Sequence, residues 1–269
     1  MTLRLELSAA SSNLPAWLTS WEAGFAYNGN GYFNGSLGTA GQWWAGNATY
    51  SDAVNNGESS VILNGTDFDY GAPGNFSGHP QSLELGKNLW QDLDNDLFKQ
   101  DTELSITVDG GGDLPITNAF RYTIYGLSHG GQVDGYEYAP GQHFPGLTDY
   151  FAEQGTHQIG TSAGDVLQSF GGNDLLHGAL GNDRFVFADG WKTDVIDDFG
   201  ITTGTDFDTL DLRAVSSIST AADLFSHSNY FTDPTGVLTI VDGTNTLTIS
   251  NLQASDLANL FSNGQVLLT

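Results

Sequence analysis

Residues 160–186 read GTSAGDVLQ, SFGGNDLLH and GALGNDRFV, three consecutive nonapeptides in one register. Asp165, Asp174 and Asp183 fall nine residues apart, and so do Leu167, Leu176 and Phe185. The spacing has a chemical logic. Glycine lets the backbone turn tightly and expose its carbonyls. The aspartate adds a hard anionic oxygen, which suits Ca²⁺ with its six to eight oxygen ligands. The large apolar residue two places later points inward and stacks on its counterpart in a neighbouring repeat. The competing account of such a run is a glycine-rich hairpin loop without metal.

A glycine- and aspartate-bearing nonapeptide is the period of calcium-binding parallel β-rolls. The run resembles the RTX family as far as about Leu212, with FVFADGWKTDVIDDF and DTLDL similar to its closing strands. The resemblance implies two nonapeptides per turn of the roll, with calcium between loops one turn apart. Asp165 and Asp183 then share a side, and Asp174 meets a later partner such as Asp194. The turn residues Gly172, Asn173, Gly181 and Asn182 belong to the same implied ligand set. The chain departs from the family at Ala163 and Ser169, where glycines are usual, and it lacks a fourth repeat. The pattern G-x-S-x-G at 160–164 sits in register inside the repeats, so it is not a nucleophile elbow. Carboxylates about 4 Å apart repel by roughly 4 kcal/mol at an effective dielectric near 20. That is a large part of a net stability of ~5–15 kcal/mol, so the roll is expected to be loose until calcium binds.

Charge and cysteine content narrow the setting. With 7 Lys+Arg against 32 Asp+Glu the formal charge is −25, and there is no cysteine. Such a chain does not seek nucleic acid or an anionic membrane, because phosphate contacts need basic clusters. An acidic chain without disulfides fits an extracellular bacterial protein stabilised by calcium. The N-terminus carries Glu6 where a secretory signal needs an apolar core, and no stretch approaches a membrane span. RTX relatives leave through a type I exporter that reads an uncleaved C-terminal segment, and the end of this chain looks like such a tail.

Along the chain, residues 2–8 alternate and read as a strand. Asn13 is placed to cap a helix that takes Pro15 in its first turn and buries Trp17, Trp21 and Phe25. The Gly- and Asn-rich stretch 27–46 reads as loops between short strands. Residues 49–51, 59–67, 82–85, 104–108 and 120–127 are strand candidates, with VDGGGDL as a hairpin turn between two of them. Residues 147–154 suggest a short helix. After the repeats, 207–212, 237–241 and 246–250 read as strands, the last two joined by an Asp-Gly hairpin. Ser255 is placed to cap a final helix over 256–261, with Leu257, Leu260 and Phe261 inward.

A second resemblance covers roughly residues 10–135. WLTSWEAGF, NGYFNGSLGTAGQ, ILNGTDFDYG, SLELGKNL and RYTIYGLSHGG follow in an order similar to the HasA-type hemophores. The resemblance implies a curved antiparallel sheet backed by helices, with haem iron clamped between a histidine and a tyrosine. Tyr70 lies where the tyrosine ligand falls, and His79, or Gly74 under a different gap, where its hydrogen-bonding histidine falls. The histidine-bearing loop is largely missing, since no histidine stands between Phe25 and Gly31. The alternative is Tyr70 as a strand-end aromatic and His79 as a turn residue.

Asp92, Asp94, Asp96 and Glu103 match positions 1, 3, 5 and 12 of an EF-hand loop, but position 6 is Leu97 rather than the turn glycine. They form either a second calcium site or a solvated acidic loop. No H-E-x-x-H, P-loop or Rossmann fingerprint occurs, so no enzyme is expected. The whole reads as an α+β domain over 1–155, a calcium-binding β-roll over 156–212 and a β-rich secretion-signal cap over 213–269. The expected protein is secreted, with a type I exporter as partner and Ca²⁺ as cofactor. It is a self-assembling surface, matrix, biofilm or adhesion component, with neither nucleic acid nor membrane insertion. The alternative is a hemophore binding haem through Tyr70 and His79.

Overall fold

The computed structural model describes residues 1–26, 30–49, 56–71 and 75–269. It is a mixed α/β protein, mostly strands with few helices, and it divides into two compact units. One comprises residues 1–6 and 16–153, the other residues 7–15 and 154–269. No helix among the described residues is long and apolar enough to cross a membrane.

In the first unit a sheet runs in the order β1 (Leu3–Leu7), β6 (Leu97–Val108), β5 (Phe76–Asp92), β4 (Ser59–Tyr70), β3 (Ala40–Ala45), β2 (Tyr32–Asn34). From β2 to β6 every pairing is antiparallel. Period-two alternation puts one row of side chains on one face. Trp43, Leu63, Leu83 and Ile106 stand opposite one another in register, all buried. Helices α1 (Leu14–Ala23), α2 (Asn118–Ser128) and α3 (Leu147–Gln154) add apolar stripes, with Trp17, Trp21, Phe120, Ile124, Tyr150 and Phe151 buried. Phe120 links them, 5.9 Å from the Phe76 ring and 5.3 Å from Tyr150. Each such side chain is worth about 1.5–3 kcal/mol of transfer free energy. Between α2 and α3 lies a small hairpin, β7 (Tyr136–Ala139) and β8 (Gln142–Phe144).

Two expectations fail in this unit. Residues 120–127 form helix rather than strand, because Phe120, Ile124 and Leu127 recur at helical spacing and all are buried. The Thr117 side chain caps the helix by accepting from the Phe120 N–H. The glycines of VDGGGDL do not turn a hairpin. They carry the chain out of β6 toward α2, and Leu114 N–H bonds the Pro80 carbonyl. The strand candidate at 49–51 and the loop start at Tyr27 lie partly outside the described residues, and Gly74 lies outside them.

The second unit contains two stacks of parallel strands. In one, β10 (Val166–Gln168), β12 (Arg184–Ala188), β16 (Thr209–Ala214) and β19 (Val266–Leu267) are successive neighbours. In the other, β9 (Thr156–Ile159), β11 (Leu175–His177), β13 (Thr193–Ile196) and β18 (Asn245–Gln253) follow the same rule. Consecutive nonapeptides therefore alternate between the stacks. The inward residues line up as the nine-residue spacing requires: Leu167, Phe185, Leu210 and Val266 on one side, Leu176, Ile196 and Ile249 on the other. All belong to one buried core that also takes in Leu238, Leu257 and Leu260 from the end of the chain. Between β13 and β16 the chain makes a small ribbon, β14 (Ile201–Thr202) and β15 (Asp206–Phe207).

The tail contributes α4 (Ala221–His227), the antiparallel β17 (Val237–Asp242) against β18, and a closing helix α5 (Leu257–Ser262). Ser255 does not cap that last helix. Gln253 and Asp256 form the reciprocal box instead, ahead of a single 3₁₀ turn. Phe261 is correspondingly turned outward at 37% exposure, while Leu257 and Leu260 are buried.

Candidate metal centre

The repeat aspartates are all buried, each 2% exposed or less. Parallel strand pairing brings Asp174 and Asp183 under the main chain 18 residues earlier, while Asp165 accepts from Thr161 in its own turn. On one side Asp165 N–H donates to Asp183 Oδ1 at 2.7 Å, and Asp183 N–H donates to Asp208 Oδ1 at 2.8 Å. On the other side Thr156 N–H donates to Asp174 Oδ1 at 2.7 Å, and Asp174 N–H donates to Asp194 Oδ1 at 2.8 Å. Asp165 and Asp183 thus stand on one side, and Asp174 and Asp194 on the other. The links are carboxylate to main-chain amide, not carboxylate to carboxylate.

The turn residues lie between these ladders. Gly172 is buried while Asn173 and Asn182 are exposed. Asn182 Oδ1 accepts from Phe207 N–H at 2.9 Å. Gly181 has φ +137° and packs so closely that a Cβ there would lie 2.6 Å from the Ala163 carbonyl. Ala163, out of pattern in sequence, is accommodated because its partner turn keeps the glycine.

Carboxylates do converge at one place. Asp183, Asp206 and Asp208 each offer an oxygen within 4.8 Å of the others. Asp208 Oδ2 is held by Gly200 N–H at 2.6 Å. Asp183 Oδ2 and Asp206 Oδ1 are buried with no hydrogen-bond partner among the described residues. A buried, unpaired carboxylate oxygen is costly. The consequence is a strong shift toward the neutral acid. Burial, with smaller repulsion from Asp208, Asp165 and Asp198, pushes the Asp183 carboxyl up to about 7. Burial also raises Asp194 to about 8, with Asp174 adding repulsion, and Asp208 to about 6.

Three converging carboxylates, two of which also carry a buried oxygen without a partner among the described residues, suit a hard divalent cation. Sequence reasoning missed Asp206 and Asp208 because the coil lengthens there. Asp183 lies 18 residues after Asp165, but Asp208 lies 25 after Asp183, off the nonapeptide register. A second group is partly exposed, with His177 Nδ1 2.9 Å from Asp197 Oδ1 and 3.1 Å from Asp198 Oδ2. Asp198 is pinned by the N–H groups of Gly178 and Ala179.

The EF-hand-like spacing does not assemble a site. Asp92 ends β5 opposite Leu97, and residues 93–96 form the turn to β6. Asp92 pairs with Lys99 at 2.5 Å, and that hydrogen bond holds its carboxyl down at about 2. Asp96 Oδ1 accepts from Gln91, and Asp94 N–H donates back to Asp92. Glu103 stands six residues further along β6, roughly 20 Å at 3.3 Å per residue. It accepts from Trp17 Nε1 at 2.8 Å. With a hairpin in place of a looped turn, the fourth ligand is carried away from the other three.

Tyr70, at the end of β4, and His79 are likewise separated. His79 pairs across the sheet with Thr66, and its Nδ1 lies 2.8 Å from Asp113 Oδ2. The histidine near Tyr70 is His129 instead, at the C-terminus of α2. Both line a cavity of about 180 Å³ together with Phe33, Trp43, Ile124 and Ser128. His129 is stacked on Tyr125 at 3.9 Å, with Nδ1 2.9 Å from the Tyr125 carbonyl.

No protein-family model and no curated protein matches this chain. Solved structures do. The holo hemophore HasA from Yersinia pestis is 17% identical, with a TM-score of 0.35 over 48% of this chain and 83% of that one. The apo hemophore from the same organism, in a hexagonal crystal form, is 18% identical, with a TM-score of 0.35 over the same shares. A likeness of that size bears on neither ligand nor partner.

Proposed function

We propose that this chain is a non-enzymatic, calcium-dependent extracellular protein of the RTX type, whose second unit is a short β-roll completed by Ca²⁺. The observation that carries the reading is the convergence of Asp183, Asp206 and Asp208, the first two with a buried oxygen that lacks a partner among the described residues. Bound calcium would keep these carboxylates ionised and supply the positive charge that the fold withholds. Gly181 and Asn182, which directly precede Asp183, would offer further main-chain oxygens from the same turn. Extracellular calcium sites commonly have dissociation constants of ~10⁻⁴–10⁻³ M, so the site would fill only outside the cell. That agrees with passage through a type I exporter as a loose chain. Self-association or a cell-surface partner in a matrix, biofilm or adhesive layer completes the proposal.

Calcium titration into EGTA-treated protein tests it, followed by thermal melting and sizing. At ~100 times the dissociation constant one site adds about 2.7 kcal/mol. Melting temperatures that are equal with and without calcium would remove the reading. A strict monomer in both states would remove the assembly part alone.

The second reading is haem capture by Tyr70, and the observation that favours it is the cavity Tyr70 shares with His129. Phenolate ligation of haem iron has precedent as chemistry. The cavity is, however, smaller than the ~300–1,000 Å³ of ordinary ligand sites, which places this reading second. A haem titration decides: no absorbance change in the Soret region ends it.

A further inference from the structure

One face of the sheet in the first unit carries a linked row of planar polar side chains. Gln42 Nε2 donates to Asn64 Oδ1 at 2.9 Å, and Asn64 Nδ2 donates to Glu84 Oε1 at 2.9 Å. Gln100 Nε2 donates to the Glu84 carbonyl at 2.9 Å, and its Oε1 accepts from Ser60 at 2.8 Å. Glu84 Oε2 accepts from Thr102 at 2.9 Å. These residues come from four adjacent strands, β3 to β6, whose registers bring Gln42, Asn64 and Ser82 into line. Each amide is held by a neighbour, so its orientation is fixed before any ligand arrives.

Beside this row lies a cleft of about 350 Å³, bordered by Asn64, Glu84 and Gln100 and by the half-buried Trp90. The volume falls in the ordinary range of small-ligand sites. The cleft also contains Lys99, which lies 5.5 Å over the Trp90 ring. Its ammonium is already met by Asp92 at 2.5 Å. Glu84 and Asp101 leave the cleft with an excess of negative charge, on a chain of net charge −25. Phosphates, nucleotides and acidic glycans are therefore repelled. A fully apolar ligand would strip water from the amide row without replacing its hydrogen bonds.

What fits is a ligand without charge and dense in hydroxyl groups, with one apolar C–H face. Beyond its contacts within the row, Asn64 Oδ1 and Glu84 Oε2 each keep a lone pair and Gln100 keeps one N–H and one lone pair for a ligand's hydroxyls. Aromatic rings accept the C–H face of a sugar ring while staying partly wet. We propose that this cleft binds a neutral carbohydrate chain, with Trp90 as the stacking surface and Asn64, Glu84 and Gln100 as the hydroxyl-reading row. The proposal is independent of the calcium reading, since every residue it uses lies in the first unit.

Affinity electrophoresis of the full chain in calcium-containing native gels tests it. The probes are galactomannan, xyloglucan, glycogen and mixed-linkage β-glucan as neutral chains, with alginate and hyaluronan as anionic ones. The expected result is retardation by at least one neutral polysaccharide and by neither anionic one. Trp90→Ala and Gln100→Ala should each weaken retardation about tenfold, as expected when one desolvated contact is lost. Near-UV circular dichroism confirms folding of each variant. Should Trp90→Ala misfold, Gln100→Ala carries the test alone. Absence of retardation by every neutral probe, retardation by an anionic one, or undiminished retardation of folded Gln100→Ala overturns the proposal.

Discussion

Replacing Asp183 by asparagine should flatten the pH dependence of stability in the absence of calcium. The carboxyl is held up at about 7 in the folded protein, chiefly by burial, against an ordinary value of 3.8. Between those two pH values the folded state carries a proton that the unfolded state has released. Stability then falls as pH rises. The distance from 3.8 to about 7 converts to about 4 kcal/mol once pH has passed 7. That figure is an upper bound for one residue, because Asp208 and Asp165 share the repulsion. Asp194 and Asp208 act in the same direction, with values of about 8 and 6. Asp92, Asp211 and Asp223 are shifted downward, so what they add is lost only below their ordinary value near 3.8, outside the window. The assay is thermal unfolding by circular dichroism in EGTA from pH 4.5 to 8.5. At about 2–4 °C per kcal/mol, the transition of the second unit should drop on the order of 10 °C across that range. In Asp183→Asn the amide oxygen still accepts from Asp165 N–H but nothing titrates, so the drop should be clearly smaller. With millimolar calcium the wild-type drop should disappear. A wild-type curve that stays level or rises toward pH 8, or equal slopes in the two proteins, would refute the reasoning.

Limited proteolysis in EGTA should open the chain between residues 160 and 208, and an identical digest in calcium would count against a metal role. Leu176→Ala and Phe185→Ala, at fully buried positions, should cost about 2–5 and 3–5 kcal/mol in denaturant unfolding; losses under 1 kcal/mol would mean the stacked core is not formed. Gly181→Ala should lower the melting temperature, since its φ of +137° and the Ala163 carbonyl at 2.6 Å leave no room for a Cβ. If haem binds, Tyr70→Phe and His129→Ala should abolish the Soret change while His79→Ala preserves it. The reverse pattern would show that the cavity beside α2 is not the site.

The parallel pairing of the repeat strands was legible because its information is local. A nine-residue period fixes turn, acidic residue and inward residue together, and Leu167, Phe185 and Leu210 stack as that period demands. Legibility ended where the period did. Asp206 and Asp208 reach the Asp183 turn through a longer, irregular coil, and no window of the sequence ties them to it. In the first unit the difficulty was composition. RYTIYGL is rich in aromatic and β-branched residues, which favours strand by propensity. Tertiary burial of Phe120, Ile124 and Leu127 decided for helix. His129 escaped attention for a related reason: 59 residues separate it from Tyr70, and only the docking of α2 brings both to one cavity. His79, nine residues from Tyr70, is the nearer histidine in sequence, but antiparallel pairing sends it toward Asp113 while His129 shares the cavity with Tyr70.

The repeat aspartates do not all need a metal equally. Asp174 receives three donors, from Thr156 N–H and Oγ1 and from Phe170 N–H. Asp165 receives Thr161 N–H and Oγ1 on one oxygen. Asp183 receives Asp165 N–H on Oδ1, its Oδ2 has no donor among the described residues, and the carboxylate converges with those of Asp206 and Asp208. Asp165 and Asp194 also keep one buried oxygen without a partner among the described residues, but three aspartates converge at the turn holding Asp183, Asp206 and Asp208. Calcium dependence should therefore concentrate there. Asp208→Asn removes a converging charge and keeps an acceptor for Asp183 N–H but gives up the one for Gly200 N–H, and it should weaken calcium binding. Asp174→Asn, with its oxygens already satisfied, should lose an amide-bound carboxylate and leave calcium affinity within about threefold, a difference of under 1 kcal/mol. Equal losses of affinity at both positions would mean that the charge deficit is spread along the whole coil.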